Sequence, residues 1–491
     1  MGHRCSATRF EVGTELEDNR NAKRRESVDP RLSIGPLGSA HTRPNPIPAP
    51  ICWRLPRYFP REMSLVVYLG APASRGGTCR TVLSNVESCQ CRKVGVLGPL
   101  PMWGCLCFVS DDVEYSTHLP RDQSSVRRQD GQMKITRIER IALNIPYQEH
   151  VREPLRKGWG YANRATDDEF AADGEGLLQK WKDTPVPSVK TTLYQVFDEH
   201  GRVGLGEGAS RSDEELAAYV GHSPFEYVGD DSAGPLQIAF YDLMGQIVGL
   251  PISRLLGPAR DTAPLAWWSH GFEPDVLRRE ASRALAAGYK VHKFKRRAHT
   301  DVVEQVEAIA EVAPEDYEIT VDANETFGTV ERAIDVGKKL KDCPLVHCLE
   351  SPVTQSDIEG YRQIRAALDL PLAHHIGAPD AIDALHSGVY DYFILGTTVA
   401  ALQRDAHICG ARDRPFWMQL GGDGTDISTL FMMHLAAATP NATKGHVSMQ
   451  HLQEAMLLEE TIQVKEGMVT IPTIPGLGGT LNMDVVDRYR V

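Results

Sequence analysis

Four short apolar runs, each ending in an ionisable residue, recur along this chain at a nearly constant step. VHKFK ends at Lys295, YEITVD at Asp322, LVHCLE at Glu350 and LPLAHH at His375, so the steps are 27, 28 and 25 residues. A strand, a helix and two short loops occupy about 25 to 40 residues, so this is the step of a repeated β/α unit. Parallel strands closed into a barrel present their C-terminal ends on one face. Side chains that end successive strands therefore converge, and Lys293, Lys295, Asp322 and Glu350 can form one site although they are far apart in sequence.

Further units bracket these four. Upstream, PLAWWSH (264–270) reads as a strand, followed by the helical pattern DVLRREASRALAAG with Asp275 as N-cap and Gly288 as its stop. Downstream, DYFILG (391–396) and PFWMQLGG (415–422) read as two more buried strands, each followed by a helix-like segment. An eighth strand is weakly marked within HVSMQHL. The expected fold class is α/β, a TIM-type β/α barrel. An open doubly wound sheet ranks second, since no Gly-rich phosphate loop follows an early strand.

The first 132 residues are a different kind of sequence. They carry 18 Lys plus Arg against 13 Asp plus Glu, whereas the remainder carries 35 against 52. Sixteen of those 18 basic residues are arginine, and seven of the ten cysteines lie in this region. Prolines crowd PRLSIGPLGSAHTRPNPIPAP without a sustained helical or strand period, so no stable fold is expected there. Cys89-x-Cys91 and Cys105-x-Cys107 lack the two-residue gap and paired histidines of ordinary zinc sites. The longest apolar stretch, VGVLGPLPMWGCLCFV, is broken by Gly and Pro, which speaks against a membrane span. Met133 opens the first well-patterned segment and is the expected start of the folded protein, with 1–132 an extension or a misassigned leader. The acidic remainder argues against nucleic acid as a partner and is of the common cytoplasmic type.

From Met133 to about residue 257 the chain reads as an α+β domain. ITRIERIAL and VKTTLYQVFDEHGRVGLGEG suggest a small antiparallel sheet with a turn at His200-Gly201, and AGPLQIAFYDLMGQIVG a helix ending at Gly249. Between the strands, PYQEHVREPLRKGWGYANR reads as a loop-rich stretch, either a lid over a polar substrate or a plain surface loop. The expected organisation is thus an extension (1–132), an N-terminal α+β domain (133–262), a β/α barrel (263–465) and a C-terminal tail (466–491).

The residues Lys293 and Lys295 lie two apart on a strand, so they share one face. Their mutual repulsion favours a depressed pKa for at least one of them, as a general base requires; the bland alternative is a basic strand edge. Asp322 and Glu350 offer hard oxygen donors for a divalent cation, and either alone could instead be a structural salt-bridge partner.

At this point a resemblance becomes specific. GLGEG, AFYDLMGQIVGLPISRLLG, GYKVHKFK, ITVDANETF, CLESPV and IPTIPGLG occur in an order that resembles the mandelate racemase and muconate lactonizing branch of the enolase superfamily, over about 360 residues. The resemblance implies that 133–262 is a capping domain joined to a modified TIM-type barrel of the (β/α)7β kind that carries the metal site (263–465), with the tail (466–491) returning to the cap; it also implies Mg2+ held by three acidic ligands, and removal of a proton next to a carboxylate through an enolate. It makes Lys295 the base, Lys293 its electrostatic partner, and Asp322 and Glu350 metal ligands. Asn324, matching the family's Asp-x-Asn, supports the site and contacts substrate.

The third metal position departs from the family. Where Asp or Glu follows a fifth-strand proline, this chain has Pro371 and then His375. Three readings are open: His375 is a nitrogen ligand, a water fills the position, or the metal site is lost. The first favours Mn2+ or another transition metal over Mg2+. His374, on the opposite strand face, is assigned to packing. Gly396 stands where related enzymes carry a sixth-strand lysine, and Gln419 where others carry a seventh-strand histidine. Gln419 is left to hydrogen bond substrate. Two-base racemisation loses support, and a one-base lyase or isomerase acting on a small carboxylate, acid-sugar dehydratase or cycloisomerase-like, is the expected activity. The alternative is a catalytically silent relative with a binding or structural role. The resemblance also implies a homo-oligomer.

Overall fold

The computed structural model of the chain describes residues 133–160 and 164–491. The expectations for residues 1–132, including the cysteine pairs, lie outside the described residues. The described chain opens with β1 (Ile135–Pro146), α1 (Glu149–Gly160) and α2 (Asp167–Asp183), then β2 (Ser188–Asp198) and β3 (Val203–Gly208). The three strands pair antiparallel in the order β1-β2-β3, with the β2–β3 turn at 199–201. The stretch after Pro146, expected to be rich in loop, is helical instead. Val151, Leu155 and Gly158 fall on one buried face at helical spacing, and this periodic burial outweighs the helix-breaking tendency of Pro154 inside α1.

After α3 (Asp213–Ala217) comes α4 (Leu236–Val248), which is buried along most of its length and ends at Gly249 in the left-handed conformation (φ 72°), as its sequence predicts. The helix packs directly on β3. A Cβ at Gly204 would come within 2.1 Å of the Ala239 carbonyl oxygen, so the GLGEG run needs glycine there for close approach. A short α5 (Ile252–Leu255) leads into the barrel.

The barrel alternates β4 (Thr262–Ser269), α6 (Pro274–Ala286), β5 (Val291–Lys295), α7 (Val302–Ala310), β6 (Glu318–Asp322), α8 (Val330–Leu340), β7 (Val346–Glu350) and α9 (Ile358–Ala367). It continues through β8 (Leu372–His375), α10 (Ala381–Ser387), β9 (Tyr392–Leu395), α11 (Val399–Gly410), β10 (Phe416–Met418), α12 (Asp426–Ala438) and β11 (His446–Val447). Neighbouring strands from β4 to β10 are parallel and in sequence order. The weakly marked eighth strand closes the ring: β11 pairs parallel with β4, and Val447 bridges Gln419 just past β10. One expected detail differs. The N-cap of α6 is Glu273, not Asp275, because Pro274 takes the first helical position where its missing N–H costs nothing.

A hairpin of β12 (Val464–Lys465) and β13 (Met468–Thr470) then joins the N-terminal half of β4, antiparallel to it. The chain therefore stays with the barrel sheet through Thr470 instead of leaving it at 466, because the long β4 has backbone groups to spare at its start. Beyond it, α13 (Met483–Tyr489) carries the chain to Arg490, which bridges Leu143 of β1.

Two buried carboxylates clamp cap to barrel and tail. Asp242 of α4 accepts the N–H groups of Leu205 and Leu477, each at 2.8 Å. Glu207 of β3 accepts those of Thr425 and Ser428, at 2.7 and 2.9 Å, where α12 begins. Its second oxygen, Oε2, is buried without a hydrogen bond. Burial pushes the Glu207 carboxyl up to about 7, although the α12 donors pull the other way. A carboxyl whose folded pKa is raised stabilises the fold fully below its unfolded value, and that contribution is lost as pH rises through about 7. Glu207→Gln keeps the accepting oxygen and removes the titration. Thermal melts across pH 5 to 8 should show a smaller loss of stability with rising pH in the variant than in the parent chain; parallel slopes would exclude this clamp as the cause.

Candidate functional site

Strand register decides which side chains meet. Lys295 pairs with Asp322, Asp322 with Glu350 and Glu350 with Ala373, so two carboxylates and a lysine stand at one level on β5, β6 and β7. Lys293 lies one strand repeat below on the same face, while the intervening Phe294 is fully buried on the other. The Lys293 Nζ is 2.5 Å from Glu350 Oε2 and 3.1 Å from Asp322 Oδ2. Lys295 Nζ donates to Asp322 Oδ2 at 2.5 Å. All four residues sought from the sequence are thus in contact.

Burial sharpens their electrostatics. Lys293, Asp322 and Glu350 are each at most 1% exposed, so the charges interact at low dielectric. Burial, with a further contribution from Lys293, lowers Lys295 below the usual lysine value. Burial also opposes the Lys293 charge, but Glu350 and Asp322 outweigh it and hold Lys293 above that value. Asp322 shows the mirror image: burial pushes it up, and Lys295 and Lys293 together hold it well below the carboxylate range. Glu350 is pushed up by burial and by Asp322, and its Oε2 meets the Lys293 ammonium without an aligned hydrogen bond.

The loops beyond the strand ends are shaped around this group. Of the five non-glycine residues with positive φ among the described residues, Asn324, Glu325 and Ser351 directly follow β6 and β7. Such conformations cost energy and cluster where a site demands them. The Asn324 backbone N–H donates to Asp322 Oδ1 at 3.0 Å and steadies it. Its side-chain Oδ1 accepts from Arg297 Nη1 at 3.1 Å.

The remaining sequence-derived residues lie around this group. Gln419 reaches across the barrel and its Oε1 accepts from Lys293 Nζ. His375 points to the same face as Glu350 but one strand repeat beyond it, at the open end of β8, because Glu350 is level with Ala373. Two residues of strand are about 6.6 Å. Among the described residues no three His, Cys, Asp or Glu side chains are gathered to hold a metal ion. His375 is exposed at this open end, and its surroundings, with Lys293 beside it, shift its pKa downward. His374 packs outward as expected, stacked on Tyr390 at 4.5 Å with its Nε2 against the Pro379 carbonyl. A Cβ at Gly396 would meet nothing within 4 Å, so the sixth-strand side is open space.

Two residues that sequence reasoning passed over also stand here. Arg297, 2% exposed, is fixed by the Arg296 carbonyl and Asn324 Oδ1. Its neighbour Arg296 is bound to Asp167 of α2, tying the cap to the strand end. The signal was present in the KFKRR run, but a run of basic residues ordinarily marks a solvated edge. His270, one residue past β4, is 1% exposed.

A parallel β/α barrel with lysines and carboxylates converging at its C-terminal face defines the class of a barrel enzyme. Residues 276–485 match the family described as enolase C-terminal domain-like. The arabinonate dehydratase of Saccharolobus solfataricus is 24% identical over 351 residues, 66% of this chain and 88% of that protein. The N-succinylamino acid racemase of Thermus thermophilus is 26% identical over 339 residues, 65% of this chain and 86% of that one. Among solved structures, the dipeptide epimerase of Enterococcus faecalis complexed with Mg and the dipeptide L-Leu-L-Tyr superposes with a TM-score of 0.56 at 20% identity, covering 71% of this chain and all of that one. The chain is thus similar to the enolase superfamily, in its mandelate racemase and muconate lactonizing enzyme branch. No helix among the described residues is long and apolar enough to cross a membrane.

Proposed function

We propose that the chain is a divalent-metal-dependent lyase or isomerase that removes the α-proton of a small carboxylate substrate to form an enolate. The observation that carries this reading is the buried contact of Lys293, Lys295, Asp322 and Glu350 at three successive strand ends. In this reading Lys295 takes the proton. Lys293, held by Glu350, Asp322 and Gln419, keeps its positive charge beside the negative charge that develops.

The donor set fits Mg2+. That ion is commonly held by one or two carboxylates, with water and substrate oxygens completing its shell. Asp322 and Glu350 are such a pair, and the buried Glu350 Oε2, which lacks an aligned hydrogen bond, supports the assignment. When bound, the ion would polarise the substrate carboxylate and offset the charge formed on proton loss. His375 is the proposed nitrogen donor, and its engagement would favour Mn2+, Fe2+ or Zn2+ over Mg2+.

Open space at Gly396 and the engagement of Gln419 by Lys293 leave no second base opposite Lys295 on the sixth or seventh strand. One-face chemistry is therefore favoured: β-elimination, as in acid-sugar dehydration, or cycloisomerisation. The similarity to an arabinonate dehydratase supports the first. One observation favours a second reading, a catalytically silent relative: two lysines and two carboxylates already balance their charges without an ion.

Two measurements on the full chain separate the readings. Calorimetric titration should show one divalent ion per chain, with His375→Ala weakening Mn2+ more than Mg2+. A panel of acid sugars, dipeptides and cyclic carboxylates in D2O should contain at least one compound that exchanges its α-proton. Neither ion binding nor exchange would leave the silent relative standing.

A further inference from the structure

His270 sits one residue beyond β4, the strand that pairs with β5 through Ser269 and Phe294, and so stands beside the Lys295 end of the site. Three aromatic rings hold it. Trp159 of α1 and Trp268 of β4 meet it edge-on, each with centroids 5.6 Å away, and Phe272 lies tilted at 6.4 Å. The Gly271 N–H donates to its Nδ1 at 2.7 Å, which places the proton of the neutral ring on Nε2. Burial, reinforced by the positive charges of Arg297 and Lys295 and opposed by Asp322, holds its pKa well below the usual histidine value. The ring is thus a fixed, uncharged N–H donor among the charged groups of the site.

The cap reaches this ring directly. A methyl group at Gly158 of α1 would come within 2.2 Å of His270 Nδ1, so the helix lies against the imidazole with no room to spare. We propose that His270 is a substrate-binding residue that offers Nε2–H to the substrate anion from the end of the first barrel strand, and that α1 sets its orientation. A neutral imidazole can stabilise developing negative charge by hydrogen bonding without giving up its proton, and its neutrality leaves the lysine charges undisturbed. The inference rests on the proposed function only in seating the substrate anion at this face.

The test uses the full chain labelled with 15N-histidine, with malonate and Mg2+ as the probe. The His270 signal is assigned by its loss in His270→Phe, which keeps an aromatic ring in the cluster. Should that variant fail to fold, Gly158→Ala supplies the assignment by displacing the same ring. Long-range 1H–15N correlations should show the neutral Nε2–H tautomer at pH 7, and malonate should move its Nε2 resonance. Calorimetry should show malonate affinity falling about tenfold or more in His270→Phe, the size expected for a lost hydrogen bond to a charged group, and less in His270→Asn. Malonate that binds without moving the resonance overturns the proposal, as does a charged ring, the other tautomer, or no malonate binding. A shifted resonance in a protein that exchanges no α-proton would keep the anion donor and remove the enolate chemistry, so the two ideas fail separately.

Discussion

Lys295→Arg and Lys295→Ala are both expected to abolish α-deuterium exchange, a loss of about 10²- to 10⁴-fold for a removed general base. The pair of variants isolates the reason. Lys295 balances Asp322, at 2.5 Å, and in the proposed reaction its neutral amine would take the substrate proton. Arginine preserves the first role and cannot perform the second, because its guanidinium does not deprotonate in proteins. Lys295→Arg should therefore melt close to the parent chain while losing exchange, and Lys295→Ala should lose exchange with altered stability. Exchange that survives in Lys295→Arg would remove Lys295 from the proton transfer and leave it a counter-ion.

Asp322→Asn should have the largest effect on the fold itself. Asp322 is fully buried, accepts a hydrogen bond from Lys295 and forms an ion pair with Lys293. Its removal leaves Lys293 and Lys295 with Glu350 as their one remaining carboxylate partner in the quartet. Losing one member of a buried ionic group costs roughly 3–5 kcal/mol, because the remaining charge stays desolvated. Asparagine keeps the shape and can still accept the Asn324 N–H, so the loss reports charge and not packing. The double variant Asp322→Asn with Lys295→Met restores neutrality and should recover much of the lost stability while recovering neither divalent-ion binding nor exchange. Additive losses in the double variant would show that the two residues do not act as a pair.

Much of this was legible because it rested on local period. The β/α step located Lys293, Lys295, Asp322 and Glu350, and the alternation of a strand placed both lysines on one face without knowledge of what lay opposite. Gly249 stopped α4 for a local reason too, since few other residues accept its backbone conformation. The stretch after Pro146 was misread because Pro154 and a dense mix of charges look like loop. Its helical face becomes convincing only when Val151 and Leu155 have something to pack against.

The site's outer parts depended on contacts across the barrel. Gln419 is 126 residues from Lys293, and no pattern in either segment announces that its oxygen will be taken by that ammonium. The level of His375 follows from pairing Glu350 with Ala373, a register set by the sheet and invisible in the LPLAHH run. Asn324 holds Asp322 and Arg297 in place because the loop after β6 turns through the left-handed region, a conformation that the ITVDANETF run does not announce.

By itself, then, the sequence determined the repeating unit, the strand ends that carry charge, and the family those motifs resemble, since each is written in residues close together in the chain. Tertiary structure alone decided which of those charges touch, at what level, and with which protonation tendency. Strand register sets distances between residues far apart in sequence, and burial sets the dielectric in which their charges act.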